Sequence, residues 1–224
     1  MMQRGKLSVW IFRSDRDDVH VLYVCIALFV FGWLKFLLPV LGVYVADYLL
    51  RAVICSIILL GIGLEPFRSK LLDPVKAGLS GLLAVWLTLQ IENLIYALIP
   101  ATPILIGWPF PGIADPALRW IDAVFGVALV AVSEELVFRF LPNRIGRDRG
   151  WHVWQIYLMS VLTFAFIHAP QGIVRVLDAA IFGLLAMALF RRFGSLWVPI
   201  AVHFLVDFVL FSDVACWANV RTCT

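Results

Sequence analysis

Two neighbouring carboxylates and a guanidinium one helical turn further on, Glu134, Glu135 and Arg139 in AVSEELVFRF, stand inside a stretch apolar enough to lie in a bilayer. Ionisable side chains at mid-membrane cost on the order of 2.5 to 3.5 kcal/mol each on insertion scales, so they persist there with partners or with a task. Residues four apart on a helix share a face, which makes Glu135 and Arg139 natural partners. Glu134 is turned about 100° away from its neighbour. A buried carboxylate left without a cation is a strong proton acceptor when ionised, so Glu134 is the better candidate for a general base. Two further apolar stretches carry matching chemistry. FAFIH puts Phe164 and His168 on one face, with Pro170 closing the helix, and HFLVD does the same for His203 and Asp207. An imidazole near Glu134 can orient a water or donate to a developing oxyanion, and His203 with Asp207 can do the latter from the opposite wall.

Taken singly, each of these residues has a plainer role. An intramembrane histidine more often hydrogen-bonds between helices than catalyses, and Ser133, Gln155, Ser160 and Thr163 fit such packing work. Glu135 and Arg139 also fit a pair at the interface, with Arg139 snorkelling towards Arg144 and the cytosol. The conjunction weighs more: two acids, two histidines and an aspartate fall in three helix-length segments of the last half of the chain. Elsewhere in the apolar segments Lys35, Asp47, Arg51, Glu92 and Asn93 are scattered singly.

The segments that must position these groups are set by the solvent. Apolar residues make up 62% of the 224, charged residues 15%, and the mean hydropathy is +0.95. These values predict an all-α, polytopic transmembrane helical bundle, with room for about seven to eight spans at about 20 residues each. Hydropathy places spans near 21–41, 43–63, 77–99, 118–141, 153–169, 173–190 and 195–213. Arg68, Lys70 and Lys76 follow the second, Arg144, Arg147 and Arg149 the fourth, and Arg191 and Arg192 the sixth. The connection from Pro100 to Pro116 has five prolines, two glycines and no Lys or Arg. Every second loop is basic, which predicts a cytosolic N-terminus and an external C-terminus. The net charge of +3 is spread over these loops, so nucleic acid is not an expected partner.

Residues 1–20 mix Arg4, Lys6, Arg13 and Arg16 with Asp15, Asp17 and Asp18 and carry no apolar core before a cleavage site, the pattern of a cytosolic tail. A single transmembrane domain over 21–214 and a short tail over 215–224 complete the expected organisation. The four cysteines, at 25, 55, 216 and 223, form no CxxC motif. Cys25 and Cys55 read as apolar residues, and an oxidising exterior would allow Cys216 and Cys223 to pair. GWPFPG in the outer loop suggests an ordered lid at the interface.

EExxxR at Glu134, Glu135 and Arg139, FxxxH at Phe164 and His168, and HxxxD at His203 and Asp207 resemble, in order and spacing, the three motifs of the CPBP family. That family contains the CAAX prenyl endopeptidases and the bacteriocin-processing proteins, also called Abi. The likeness covers about residues 118–212, and RRFGSLWVPIAVHFLVDF is similar to the family's run into its last motif. The resemblance implies a glutamic-type intramembrane endopeptidase. Glu134 would activate the water and His168 would assist. His203 and Asp207 would take the oxyanion positions, with Glu135, Arg139 and Phe164 in support. The sequence has no HExxH, and water activation by glutamate and histidine requires no ion, so neither metal nor cofactor is expected.

Two features depart from the family pattern. Asp207 stands where many relatives have Asn, and an ionised carboxylate cannot donate to an oxyanion. Either Asp207 is protonated or it orients His203 and leaves the oxyanion to the imidazole. Arg139 is followed by Phe140, Leu141 and Pro142 instead of glycine, which points to a differently placed break in that span. Straight, centred helices would also put Glu134 about 6 Å to the cytosolic side of the midplane and His168 about 10 Å to the external side, at about 1.5 Å per residue. For the two to meet, the helices must tilt or the fifth span must sit displaced towards the cytosol.

The implied partner is a membrane-anchored or lipid-associated protein: a prenylated C-terminus, a bacteriocin leader or a C-terminal sorting anchor. The implied location is a bacterial inner (plasma) membrane. A non-enzymatic immunity or scaffold protein of the same family is the second reading. A proton-coupled transporter is a third, and the sequence lacks the internal repeat often seen in such folds.

Overall fold

The computed structural model describes residues 15–67, 73–99 and 112–212, all of it helix, turn or connection with no strand among the described residues. The first fourteen residues, residues 107–111 of GWPFPG and both Cys216 and Cys223 lie outside them.

Helix ends follow the local chemistry. Helix α1, Asp15–Phe31, runs into a 3-10 turn, Gly32–Leu37, and Pro39 then opens α2, Val40–Ile62. Gly63, at φ 77°, ends α2 in a backbone region that side chains avoid. A second 3-10 turn, Glu65–Phe67, follows. Helices α3, Pro74–Leu98, and α4, Pro116–Ile121, start alike: an aspartate caps the first turn and proline follows it. Asp73 accepts from Lys76 N at 3.2 Å and Asp115 from Leu118 N at 2.9 Å, satisfying amides that have no partner inside the helix.

From Pro116 the chain stays helical to Asp148, but not uniformly. Two single-turn π-bulges, Asp122–Gly126 and Leu136–Phe140, flank α5, Val127–Glu135, and the second leads into α6, Leu141–Asp148. A π-bulge adds a residue to one turn and re-aims everything after it. The departure after Arg139 thus appears as a widened turn in a helix that continues through Pro142. Proline brings no N–H, which frees the carbonyl four residues back, and that carbonyl, Phe138 O, accepts from Ser160 Oγ at 2.5 Å. Helices α7, Val153–Ile167, α8, Ile173–Phe193, and α9, Trp197–Phe211, complete the bundle. Gly194, left-handed at φ 61°, lets the chain reverse between α8 and α9.

Each of the seven expected spans overlies a helix or, for the fourth, the bulged run. Four segments are long and apolar enough to cross a membrane: Asp18–Leu37, Val40–Ile62, Pro74–Leu98 and Ile173–Phe193. Helices α7 and α9 are apolar but only 15 residues long. The outward faces carry Leu49, Leu60, Leu82, Trp86, Phe166 and Leu184, all exposed. An exterior as apolar as the interior belongs in lipid. At one end of the bundle Arg144 joins three elements, with Nε 2.6 Å from Asp18 Oδ2 and its NH1 nitrogen 2.5 Å from Glu65 Oε2. Helices α5 and α9 lie face to face, α2 backs α5, and α3 backs α9, where Gly81 lets Val202 approach closely. Chemistry-bearing residues of α5, α7 and α9 therefore turn towards one interior region.

Candidate active site

Glu135 is entirely buried and holds two helices together. Its Oε2 lies 3.1 Å from Arg139 Nε on the same helix, across the π-bulge, and its Oε1 lies 2.8 Å from His203 Nδ1 on α9. A carboxylate only accepts, so Nδ1 carries the proton of that bond and Nε2 is left facing the interior. Nε2 then stands 3.7 Å from Glu134 Oε2 and 3.5 Å from Asp207 Oδ2. Arg139 is fully buried, and its guanidinium packs 4.1 Å from the centre of the Phe164 ring and 5.6 Å from that of Phe182. The snorkelling expectation for Arg139 is thereby overturned. The widened turn and the stacked rings keep the cation inside, where a bidentate-capable guanidinium tolerates desolvation better than an ammonium.

Phe164 brings the two histidines together. Its ring centre is 4.7 Å from that of His168 and 6.1 Å from that of His203, both nearly edge-on. His168 caps α7, and its Nδ1 lies 2.8 Å from Phe164 O. A carbonyl oxygen also only accepts, so Nδ1 donates and Nε2 is free to take a proton. Phe164, between the two imidazoles, and His203, beside Glu134, put Glu134 and His168 on the same interior region.

Glu134 itself differs from expectation. It is not left without a cation: an Arg51 NH1 nitrogen, from α2, donates to its Oε1 at 2.8 Å and to Ser133 Oγ at 3.0 Å. Arg51 Nε in turn lies 2.7 Å from Asp47 Oδ2, and Asp47 pairs with Lys35. Residues read as scattered singly form one chain of alternating charge that ends on the proposed base. Glu92 is not single either, since Arg175 donates to it at 3.0 Å and also pairs with Asp178. The missed signal was present in α2. Asp47 and Arg51 have the same four-residue spacing as Glu135 and Arg139, and a buried arginine whose two terminal nitrogens still carry four N–H donors needs a further acceptor.

With Oε1 engaged by Arg51, Oε2 of Glu134 has no hydrogen-bond partner among the described residues and faces His203. Asp207 is half-buried at the rim of the same region. The candidate site thus brings together all seven residues singled out from sequence, on α5 and its π-bulge, α7 and α9. No group of three or more His, Cys, Asp or Glu residues among the described ones has the arrangement to hold a metal ion.

Residues 116–209 match a family model described as type II CAAX prenyl endopeptidase Rce1-like, in agreement with the likeness carried by the three motifs. No curated protein and no solved structure matches the chain. The matched family is in general one of proteases, and with its apolar helices the chain is an integral membrane protein.

Proposed function

We propose, from the Rce1-like segment over residues 116–209 and the site it contains, that the protein is a glutamic-type intramembrane endopeptidase. The observation that carries this reading is the Glu134 oxygen that has no hydrogen-bond partner among the described residues and faces His203 Nε2, with His168 on the far side of the Phe164 ring. A water held between Glu134 Oε2 and His168 Nε2 gives up a proton as its oxygen attacks the scissile carbonyl carbon. His203, held as an imidazolium with Nδ1–H on Glu135 and Nε2–H beside the carboxylates of Glu134 and Asp207, directs Nε2–H at the oxyanion that forms. When the C–N bond breaks, the protonated base returns the proton to the leaving amine, and the products are a carboxylate and a free amine. Asp207 orients His203 from one turn along α9. Glu135 and Arg139 set the rotamer of His203 and the depth of the π-bulge, and Phe164 spaces the two imidazoles.

The substrate is a membrane-anchored or lipid-associated protein cut near its membrane end: a CAAX-like prenylated C-terminus, a bacteriocin leader or a C-terminal sorting anchor. A site walled by helices and bathed in lipid suits such an anchor. The chain crosses the membrane of a bacterial cell seven times, α7 and α9 making short crossings, with the N-terminus in the cytosol.

The test is cleavage of a farnesylated CAAX-terminated peptide, and of tagged membrane-anchored proteins in cells, by wild type and Glu134→Ala at matched abundance. Loss of cleavage in the variant supports the reading. Equal biological activity of the two proteins would hand the function to the immunity or scaffold reading.

A further inference from the structure

Trp33, Lys35, Asp47 and Arg51 all lie outside residues 116–209, yet two routes lead from them into the site. Arg51 has a rigid planar fork, so its contacts fix direction as well as charge. One edge meets Glu134 Oε1 and Ser133 Oγ, Nε meets Asp47, and Phe29 packs 5.4 Å from the guanidinium. Ser133 donates to Val130 O at 3.0 Å, which leaves its oxygen lone pairs for Arg51. Glu134 therefore has one oxygen clamped and one presented.

The second route ends beneath His168. The last carbonyls of a helix have no partner within it, and that of Ile167, the final residue of α7, accepts from Trp33 Nε1 at 3.2 Å. Trp33 and Lys35 sit in the same 3-10 turn, Gly32–Leu37, none of whose residues is buried. Lys35 ties that turn, through Asp47 and Arg51, to Glu134, and Trp33 ties it to the peptide unit that carries His168.

We propose that this 3-10 turn and α2 form a bracket that sets Glu134 and His168 at a fixed mutual position, with Arg51 and Trp33 as positioning residues for the water-activating pair. The inference rests on reading those two residues as that pair. Its parts lie in the first 51 residues, so the family-matched segment is incomplete without the N-terminal helices. Arg51 is distinct from a simple neutralising charge because a lysine there keeps the cation and loses the fork.

The experiment uses the full chain in lipid nanodiscs, the farnesylated CAAX-terminated peptide as probe, and the variants Arg51→Gln, Arg51→Lys and Trp33→Phe. Misplacement of a reacting group by about 1 Å costs about 100-fold, the loss of kcat expected for Arg51→Gln. KM should stay within about twofold, since the contact acts on chemistry and not on binding. Arg51→Lys should recover part of the loss. Trp33→Phe keeps an aromatic ring while removing the N–H with part of the indole, so it serves if Arg51→Gln fails to fold.

A second readout needs no substrate. The chain has four histidines, His20, His152, His168 and His203, so their side-chain nitrogens are separable by selective 15N labelling and magnetic resonance. Arg51→Gln and Trp33→Phe should shift His168 and leave His20 and His152 in place. Wild-type kcat with an unmoved His168 in folded variants overturns the proposal, as does a loss that Arg51→Lys does not reduce while His168 stays unmoved. If wild type leaves the peptide intact, the protease reading fails for that substrate class, and the histidine spectra alone decide on the bracket.

Discussion

His203 is held by Glu135 more closely than by Asp207: Nδ1 lies 2.8 Å from Glu135 Oε1, whereas Asp207 Oδ2, one turn along the same helix, stands 3.5 Å from Nε2. Glu135 also pairs with Arg139, so one carboxylate fixes an imidazole on α9 and a cation on its own helix. Support and chemistry are thus divided between adjacent glutamates, which separates the outcomes of changing them.

Glu134→Gln keeps shape and keeps an oxygen for Arg51 but removes the base. Cleavage should fall by about 10²- to 10⁴-fold, the usual contribution of a positioned general base. The lost carboxylate leaves the buried Lys35, Asp47 and Arg51 with a net positive charge, so some thermal stability should be lost too, and cleavage is compared per folded protein. A fold loss as large as the activity loss would make Glu134 structural.

Glu135→Leu strands the buried Arg139. Removing one partner of a buried pair costs about 3–5 kcal/mol, so this variant should accumulate poorly. Replacing both, Glu135→Leu with Arg139→Met, should restore much of the stability but not the activity, since His203 would lose its anchor. Thermal unfolding and peptide cleavage, run on all four members of the cycle, check the two halves separately.

Asp207→Asn retains the shape and adds an N–H next to His203 Nε2. If Asp207 orients the imidazole, cleavage should hold within about tenfold in Asp207→Asn and fall further in Asp207→Leu, which offers no polar contact. A loss in Asp207→Asn as deep as in Asp207→Leu would show that the negative charge itself is required.

Ser160→Ala leaves the Phe138 carbonyl without its donor and should destabilise by about 1–3 kcal/mol, the cost of a buried unsatisfied acceptor. Pro142→Ala supplies an N–H in reach of that carbonyl and should recover part of the loss. The thermal midpoint of the double variant, compared with both singles, tests this, and kcat should change little throughout.

Much of this site is legible in the letters of the chain because helices in lipid obey simple periodicities. Four-residue spacing identified Glu135 with Arg139, and hydropathy located the segments that became α2, α3 and α7 to α9 within a few residues, whereas the span expected over 21–41 is α1, Asp15–Phe31, followed by a 3-10 turn. That Glu134 and His168 border the same interior region was not legible, because it depends on how α7 and α9 pack around Phe164 and His203, a tertiary outcome. Arg51 was missed for a different reason. Its partner lies 83 residues away, and no local pattern joins an α2 guanidinium to an α5 carboxylate. For Arg139 the spacing left a buried pair and a snorkelling interface pair both open, and only the rings of Phe164 and Phe182, brought in from α7 and α8, give the charge a buried seat.

The chain of Lys35, Asp47, Arg51 and Glu134 is two cations and two anions in strict alternation, and its formal charges cancel within the bilayer. Loss of any single link leaves a net charge in hydrocarbon, whereas loss of an adjacent opposite pair does not. Across descendants of this sequence these four positions are therefore expected to covary, changing in neighbouring couples or staying fixed together. The first half of the chain carries no motif of its own, but it inherits the constraint of the second.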